Sequence, residues 1–196
     1  MRTLVRSFSI LLSLSFVLPA LAAPPSNTAV LKPVTDLVFK VRTQKDLSAL
    51  KNFDSEQQAR FVLEGAYDGM TDAQRKEFSS LFQTIFAKIA FPRVRENLKD
   101  LLSASYAKPV VKGDRASVDS TLTLAHPMKN EELKLRYVLT KDKTGWKVLD
   151  VLVLGNSMLV DVRDNQVRPL LQEKGVEGML QAMRDKNAEL AKVILK

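Results

Sequence analysis

An α+β fold is predicted by two changes of hydrophobic period along the chain. Helical spacing, with apolar residues every three or four positions, governs the first half as far as Leu102. From Lys108 to Leu154 the apolar residues alternate with polar ones, and beyond Met158 the helical spacing returns. Short turns between the alternating runs make the sheet antiparallel and meandering, with four strands. The 196 residues suit one domain with a sizeable core.

The elements follow in order. Val30, Leu31, Val34, Leu37, Val38 and Val41 form a helical stripe over Thr28–Lys45, with Pro33 in an early turn where a missing N–H costs little. Asp54-Ser55-Glu56 caps a second helix, whose apolar side is Ala59, Val62, Leu63 and Ala66, and Gly69 ends it. Thr71 with Gln74 three residues on is a capping box. It opens a long helix carrying Phe78, Leu81, Phe82, Ile85, Phe86 and Ile89 on one face. Pro92 is expected to kink or interrupt this helix before it continues through Val94, Leu98, Leu101 and Leu102.

The strands come next. Lys108–Lys112 is short, and Gly113-Asp114 turns the chain into Ala116, Val118, Ser120, Leu122 and Leu124. Leu133, Leu135, Tyr137 and Leu139 make a third strand, and Lys143-Thr144-Gly145 leads into Trp146–Leu154. From Val148 to Leu154 that last strand is apolar on both faces except at Asp150, so it is covered on both sides, by packed core or by a ligand cavity. Helices over about Leu159–Glu173 and Val176–Ile194 close the chain.

The N-terminus reads as a secretory signal: Arg2 and Arg6, an apolar run from Ser7 to Leu18 too short to span a bilayer, then Ala20-Leu21-Ala22 as a cleavage site after Ala22. The Pro-rich leader from Ala23 to Asn27 is expected to be disordered. The chain has no cysteine, which excludes a lipidated N-terminus, a disulfide and a thiolate metal site. The formal net charge is +8, two units of which leave with the signal. An exported protein seldom meets nucleic acid, so the basic balance points to anionic lipid headgroups, acidic protein partners or plain solubility.

Catalytic chemistry finds little support. The lone histidine, His126, precedes Pro127 in a loop, with no second histidine to share a metal. Ser157 lacks the Gly-x-Ser-x-Gly elbow because position 159 is Leu, and its place suits the cap of the helix beginning near Met158. No phosphate-cradling glycine loop or carboxylate pair stands out, and no cofactor is implied. The Phe78, Phe82, Phe86 stripe is the composition of an ordinary core. It is also what an apolar cavity wall facing a sheet requires, and Tyr106 and Tyr137 suit a cavity mouth, with rings in the wall and hydroxyls in water.

One stretch resembles a known family. Trp146-Lys147-Val148 followed by Asp150-Val151 matches a Trp-x-Val-x-Asp-Val strand, and Gly155 and Ser157 match a Gly-x-Ser turn. Gly175 and Gly178-Met179-Leu180 match the turn and helix start downstream, while Val162 stands where an aromatic Tyr-Arg pair is usual before Arg163. These motifs are similar to those of the MlaC family, also called toluene-tolerance auxiliary proteins. The resemblance implies a curved antiparallel sheet wrapped by helices around a pocket, like the nuclear transport factor 2 cone. It implies a periplasmic, non-catalytic phospholipid carrier that maintains outer-membrane lipid asymmetry. Its partners would be an inner-membrane ABC transporter with an MCE-domain subunit and an outer-membrane lipoprotein–porin complex. It also favours a monomer and a single lipid-binding domain from residue 23 to residue 196. On that reading the wall comprises Phe78, Phe82, Phe86, Leu122, Leu124, Leu135, Tyr137, Leu139, Val151 and Val153, with Tyr106 at the mouth. The alternatives are an exported adaptor with a filled core, and a small enzyme of the same cone using His126.

Overall fold

The computed structural model describes residues 27–196; the expected signal and most of the Pro-rich leader lie outside the described residues. Helix α1 (Asn27–Arg42) buries Val30, Val34, Leu37 and Val41, the predicted stripe, and begins at Asn27, inside the expected leader. A short helix α2 (Asp46–Leu50) follows, then α3 (Ser55–Leu63), whose N-cap Asp54 accepts a hydrogen bond from the Gln57 N–H. Glu64 at φ 49° breaks the chain there, earlier than Gly69, and α4 (Ala66–Gly69) is a separate turn. Helix α5 (Asp72–Asn97) opens with the complete Thr71/Gln74 capping box.

Pro92 does not interrupt α5, which runs unbroken to Asn97. The proline ring is compatible with helical φ, and the cost is one lost bond to the Lys88 carbonyl. Burial of Ala87 and Phe91 on the same turn offsets it.

The sheet has six strands rather than the four expected. They are β1 (Leu101–Tyr106), β2 (Val110–Lys112), β3 (Arg115–Leu124), β4 (Glu131–Asp142), β5 (Gly145–Val153) and β6 (Asn156–Ser157). All pairs are antiparallel in the order β1-β3-β4-β5-β6, with β2 beside β3 next to β1. Strands β1 and β2 lie end to end along β3, parted near Pro109, which has no N–H to give to a ladder. The sequence hides β1 because Leu98, Leu101 and Leu102 keep the helical spacing of Val94, although the chain leaves the helix at Leu98. The sixth strand is a stub formed when Leu154 (φ 51°) and Gly155 (φ 87°) turn the chain back on β5. Two successive positive φ values are what a type I′ hairpin turn demands.

Two apolar clusters make the core. One packs α1 and the C-terminal half of α5 on the inner face of the sheet: Val34, Leu37, Phe91, Val118, Tyr137, Leu139, Trp146 and Val148. The other joins α3, the N-terminal half of α5 and the last helices through Val62, Leu63, Phe78, Phe82, Leu149, Leu159, Met179 and Leu180. The small residues Ala116, Val118 and Ser120 are buried. Strand β5 lies between the two clusters, with Val148 in one and Leu149 in the other, at a bulge opposite Val138 and Leu139.

The outer edge of β5 is closed. Val148 gives its N–H to the Asn52 carbonyl and accepts from the Asp54 N–H, and the Gln58 side chain donates to the Leu149 carbonyl. Asp54 also accepts from the buried Thr140 hydroxyl. A buried ion pair of Arg95 with Asp46 at 2.6 Å ties α5 to α2.

Asp54→Ala removes the α3 cap and the acceptor of a buried hydroxyl together, so a loss of about 2–3 kcal/mol is expected in urea unfolding. A loss below ~1 kcal/mol would show that the edge closes without this carboxylate.

Candidate functional site: an apolar cleft between helices

A cleft of about 1110 Å³ separates α5 from the C-terminal helices. One wall is a single face of α5: Phe82, Ile85, Phe86, Ile89, Ala90, Arg93, Val94 and Asn97, spaced three and four residues apart. The rings on this helix form a ladder. Phe78 and Phe82 stack at 5.7 Å, Phe82 and Phe86 at 6.3 Å, and Phe86 meets Phe91 and Phe53 edge-on at 6.1 and 5.9 Å.

The facing wall is built by the motif region. The β5–β6 hairpin brings Val153, Gly155, Asn156 and Ser157 to the cleft. Ser157 then caps α6 (Met158–Val162), its hydroxyl oxygen accepting from the Val160 N–H. The same hydroxyl donates to Asp150, whose carboxylate also accepts from the N–H groups of Leu159 and Val151. Asp150, the polar interruption in β5, therefore fixes where α6 begins. After α6 a π-helical turn (Arg163–Val167) gives Asp164, Asn165, Gln166 and Val167 to the wall, and α7 (Arg168–Glu189) adds Leu170, Ala182, Met183 and Lys186. Gly175 (φ 65°) breaks α7 where the sequence puts a boundary between two helices.

Four charged side chains, Arg93, Asp161, Asp164 and Lys186, are part of the lining. Asp164 is held below the usual carboxylate range by its bond to Arg163, with Arg168 adding to the effect. Arg163 also stacks over the Phe61 ring at 5.0 Å and reaches Glu64 at 3.3 Å. Lys186 pairs with Glu189, and Arg93 makes no ion pair among the described residues. A second groove of about 980 Å³ lies at the other end of β5, but Lys51, Asp54, Glu56, Arg115, Lys141, Asp142 and Lys147 line it, which suits acyl chains poorly.

Of the residues singled out from the sequence, Phe82, Phe86 and Val153 line the cleft. Phe78, Leu122, Tyr137 and Leu139 are buried in the core. Tyr106, Leu124, Leu135 and Val151 are partly exposed. Register places Tyr106, Leu135, Tyr137 and Val151 on the inner face of the sheet, next to Val153. His126 is exposed in the β3–β4 loop. Reasoning from sequence passed over Ala90, Val94, Met158, Leu170 and Met183. The first two continue the α5 stripe at helical spacing and were detectable; the others face the cleft only because of the turns that precede them.

A family model described as MlaC protein matches residues 39–185. The chain belongs to the MlaC family. No curated protein matches the sequence. Among solved structures, the phospholipid-binding protein from Ralstonia solanacearum in complex with a phospholipid is similar, with 19% identity over 86% of this chain and 99% of that chain, at a TM-score of 0.69. That likeness carries the fold. A SEC-C motif containing protein from Rhodopseudomonas palustris gives 12% identity over 60% of this chain and 88% of its own, at a TM-score of 0.29, too low to bear on either fold or function.

Asp150 and Ser157 thus serve the architecture by anchoring the start of α6 on β5. Asp150→Ala is expected to speed amide hydrogen exchange in α6 and the π-helical turn by roughly tenfold or more while β3 and β4 amides stay protected. Equal acceleration throughout would show that Asp150 supports the whole fold and not this wall.

Proposed function

We propose that this chain is a non-catalytic phospholipid carrier of the periplasm, with the cleft between α5 and α6–α7 as the seat of the acyl chains. The observation that carries the reading is the cleft itself, with an apolar stripe of α5 along one wall and charged side chains within its lining. Its volume of about 1110 Å³ lies at the upper end of ligand pockets, which run to about 1,000 Å³. Family membership and the phospholipid in the similar Ralstonia structure support the same cargo.

A carrier is needed for a plain reason. Each methylene buried from water contributes about 0.8 kcal/mol, so roughly thirty of them make an exposed two-chain lipid cost on the order of 20 kcal/mol. The enclosure must match the bilayer without surpassing it, or cargo would not be released. The cargo's phosphate would stay at the rim, where Arg93 has no competing carboxylate. We further propose that the helix-covered sheet is a cone of the nuclear transport factor 2 kind. The wall then comprises Phe82, Phe86 and Val153 with Tyr106, Leu124, Leu135, Tyr137 and Val151 beside them, and Phe78, Leu122 and Leu139 pack behind. Cargo would pass between an inner-membrane ABC transporter with an MCE-domain subunit and an outer-membrane lipoprotein–porin complex, maintaining outer-membrane lipid asymmetry. Residues 1–22 would direct export and residues 23–196 would bind lipid as a monomer.

Native mass spectrometry of the exported protein tests the reading. A phospholipid adduct is expected on the wild type and its loss is expected in Ile89→Asp, with the circular dichroism of the two proteins alike. A bare wild-type mass that persists after incubation with liposomes would instead favour an adaptor that carries no cargo.

A further inference from the structure

The inner face of the sheet holds three hydroxyls among apolar neighbours. One cross-strand row runs Val153, Leu135, Ser120, Tyr106, each residue directly opposite the next on β5, β4, β3 and β1. Tyr137 lies diagonal to Ser120, two residues along β4 from Leu135. Val153 is the floor of the cleft, so the row leads from the cleft to the hydroxyls in two strand spacings, about 10 Å.

The three hydroxyls have no hydrogen-bond partner outside their own group among the described residues. Ser120 is only 5% exposed and its oxygen has no hydrogen-bond partner in the protein. The Tyr137 phenol, 2% exposed, has the Ser120 hydroxyl close beside it and the Tyr106 phenol nearby. Tyr106 is half-buried. Burial raises both phenols above the ordinary tyrosine range, so each keeps its proton at any physiological pH and can only be a neutral donor or acceptor. An unpaired buried hydroxyl costs roughly 1–3 kcal/mol, and an Ala or Val at position 120 and a Phe at 137 would avoid that cost. Leu135, Val151 and Val153 are only partly buried, so α1 and α5 cover the strip of inner face joining the cleft to the hydroxyls incompletely.

We propose that Tyr106, Ser120 and Tyr137 form a hydrogen-bonding subsite for an acyl carbonyl oxygen of the cargo, reached from the cleft along Leu135. The inference rests on the carrier reading above. A carbonyl has two lone pairs and no proton, which matches neutral donors that have nothing to accept them. A charged headgroup does not match, since no cation stands in the row. The subsite would therefore discriminate by the linkage of the chain, not by the headgroup. A glycerol ester presents the required oxygen without a charge, whereas a free fatty acid is a carboxylate at neutral pH and does not match.

Binding of three probes to the wild type, to Tyr137→Phe and to Ser120→Ala tests the proposal: a diacyl phosphatidylglycerol, its dialkyl ether analogue without carbonyls, and palmitate. The wild type is expected to favour the diacyl lipid over the ether by roughly three- to tenfold, and each variant to lose that preference while holding the ether lipid as before. Palmitate, a carboxylate at neutral pH, is expected to bind the wild type and both variants alike, and a loss confined to palmitate would overturn the ester subsite. Infrared spectra of the diacyl lipid labelled with ¹³C at its carbonyls give a readout that a folding defect does not mimic. The bound wild-type band is expected at lower wavenumber than in Tyr137→Phe. Equal affinity of the wild type for ester and ether, with no band shift, would overturn the subsite and leave the carrier reading intact. Failure of the wild type to hold any of the lipids would remove both.

Discussion

Strand β5 imposes the constraint on which the rest of the molecule depends. It is apolar on both faces and lies beside the sheet's end, where only the two residues of β6 continue the ladder. An exposed apolar edge is a template for unwanted pairing, and its backbone groups need partners. The chain meets this with four separate devices: the Asn52–Asp54 segment on Val148, the Gln58 amide on Leu149, β6 on Leu152 and Val153, and the Asp150 carboxylate on Val151. Each device belongs to a helix or opens one. Closing the edge therefore docks α3 and α6 against β5, and a second apolar cluster grows beyond the sheet.

Helix α5 is the element the two clusters share. Its first half packs Phe78 and Phe82 in one, its second half packs Ala87 and Phe91 in the other, and Phe86 touches rings on both sides. Ring pairs of this kind add about 0.5–1.5 kcal/mol each beyond their buried area, which helps a long helix bridge the two clusters. The gap exists because α6 and α7 cannot follow α5. The π-helical turn at Arg163–Val167 and the break at Gly175 set their course, and the pair of Arg184 with Glu77, together with Lys88 on Asn187, holds α7 to α5 further along. The cleft is what remains where two well-packed bodies diverge from a common helix.

This origin explains what the sequence revealed. Alternation is a local property, so β3 and β4 were legible, as were β5 by its near-continuous apolar run and the caps at Asp54, Thr71 and Ser157, whose signals lie within three residues of their targets. Strand β1 was not, because most of it is exposed and Leu101 and Leu102 prolong a helical spacing. The Phe82–Phe86 wall was visible as a stripe. Its opposite, Met158, Leu170 and Met183, was not, since residues on kinked helices face one another through backbone turns that no hydrophobic period records. Asp150 stands out in the sequence as an interruption in β5, but its grip on Ser157 and Leu159 depends on the hairpin between them.

The partly exposed strip of Leu135, Val151 and Val153 bears on how such a carrier would let go of its cargo. A sealed chamber would gain the full transfer energy of every methylene and hold a lipid as firmly as the bilayer or more so. A cleft walled on two sides leaves part of each chain in contact with solvent or with another protein, which lowers the gain toward the point of balance. Hydrogen bonds act differently from area: they add selectivity for one oxygen at a fixed place while contributing only about 0.5–1.5 kcal/mol each. An open apolar surface with a small polar terminus therefore separates the two requirements, reversible holding and recognition, onto different residues of the same face.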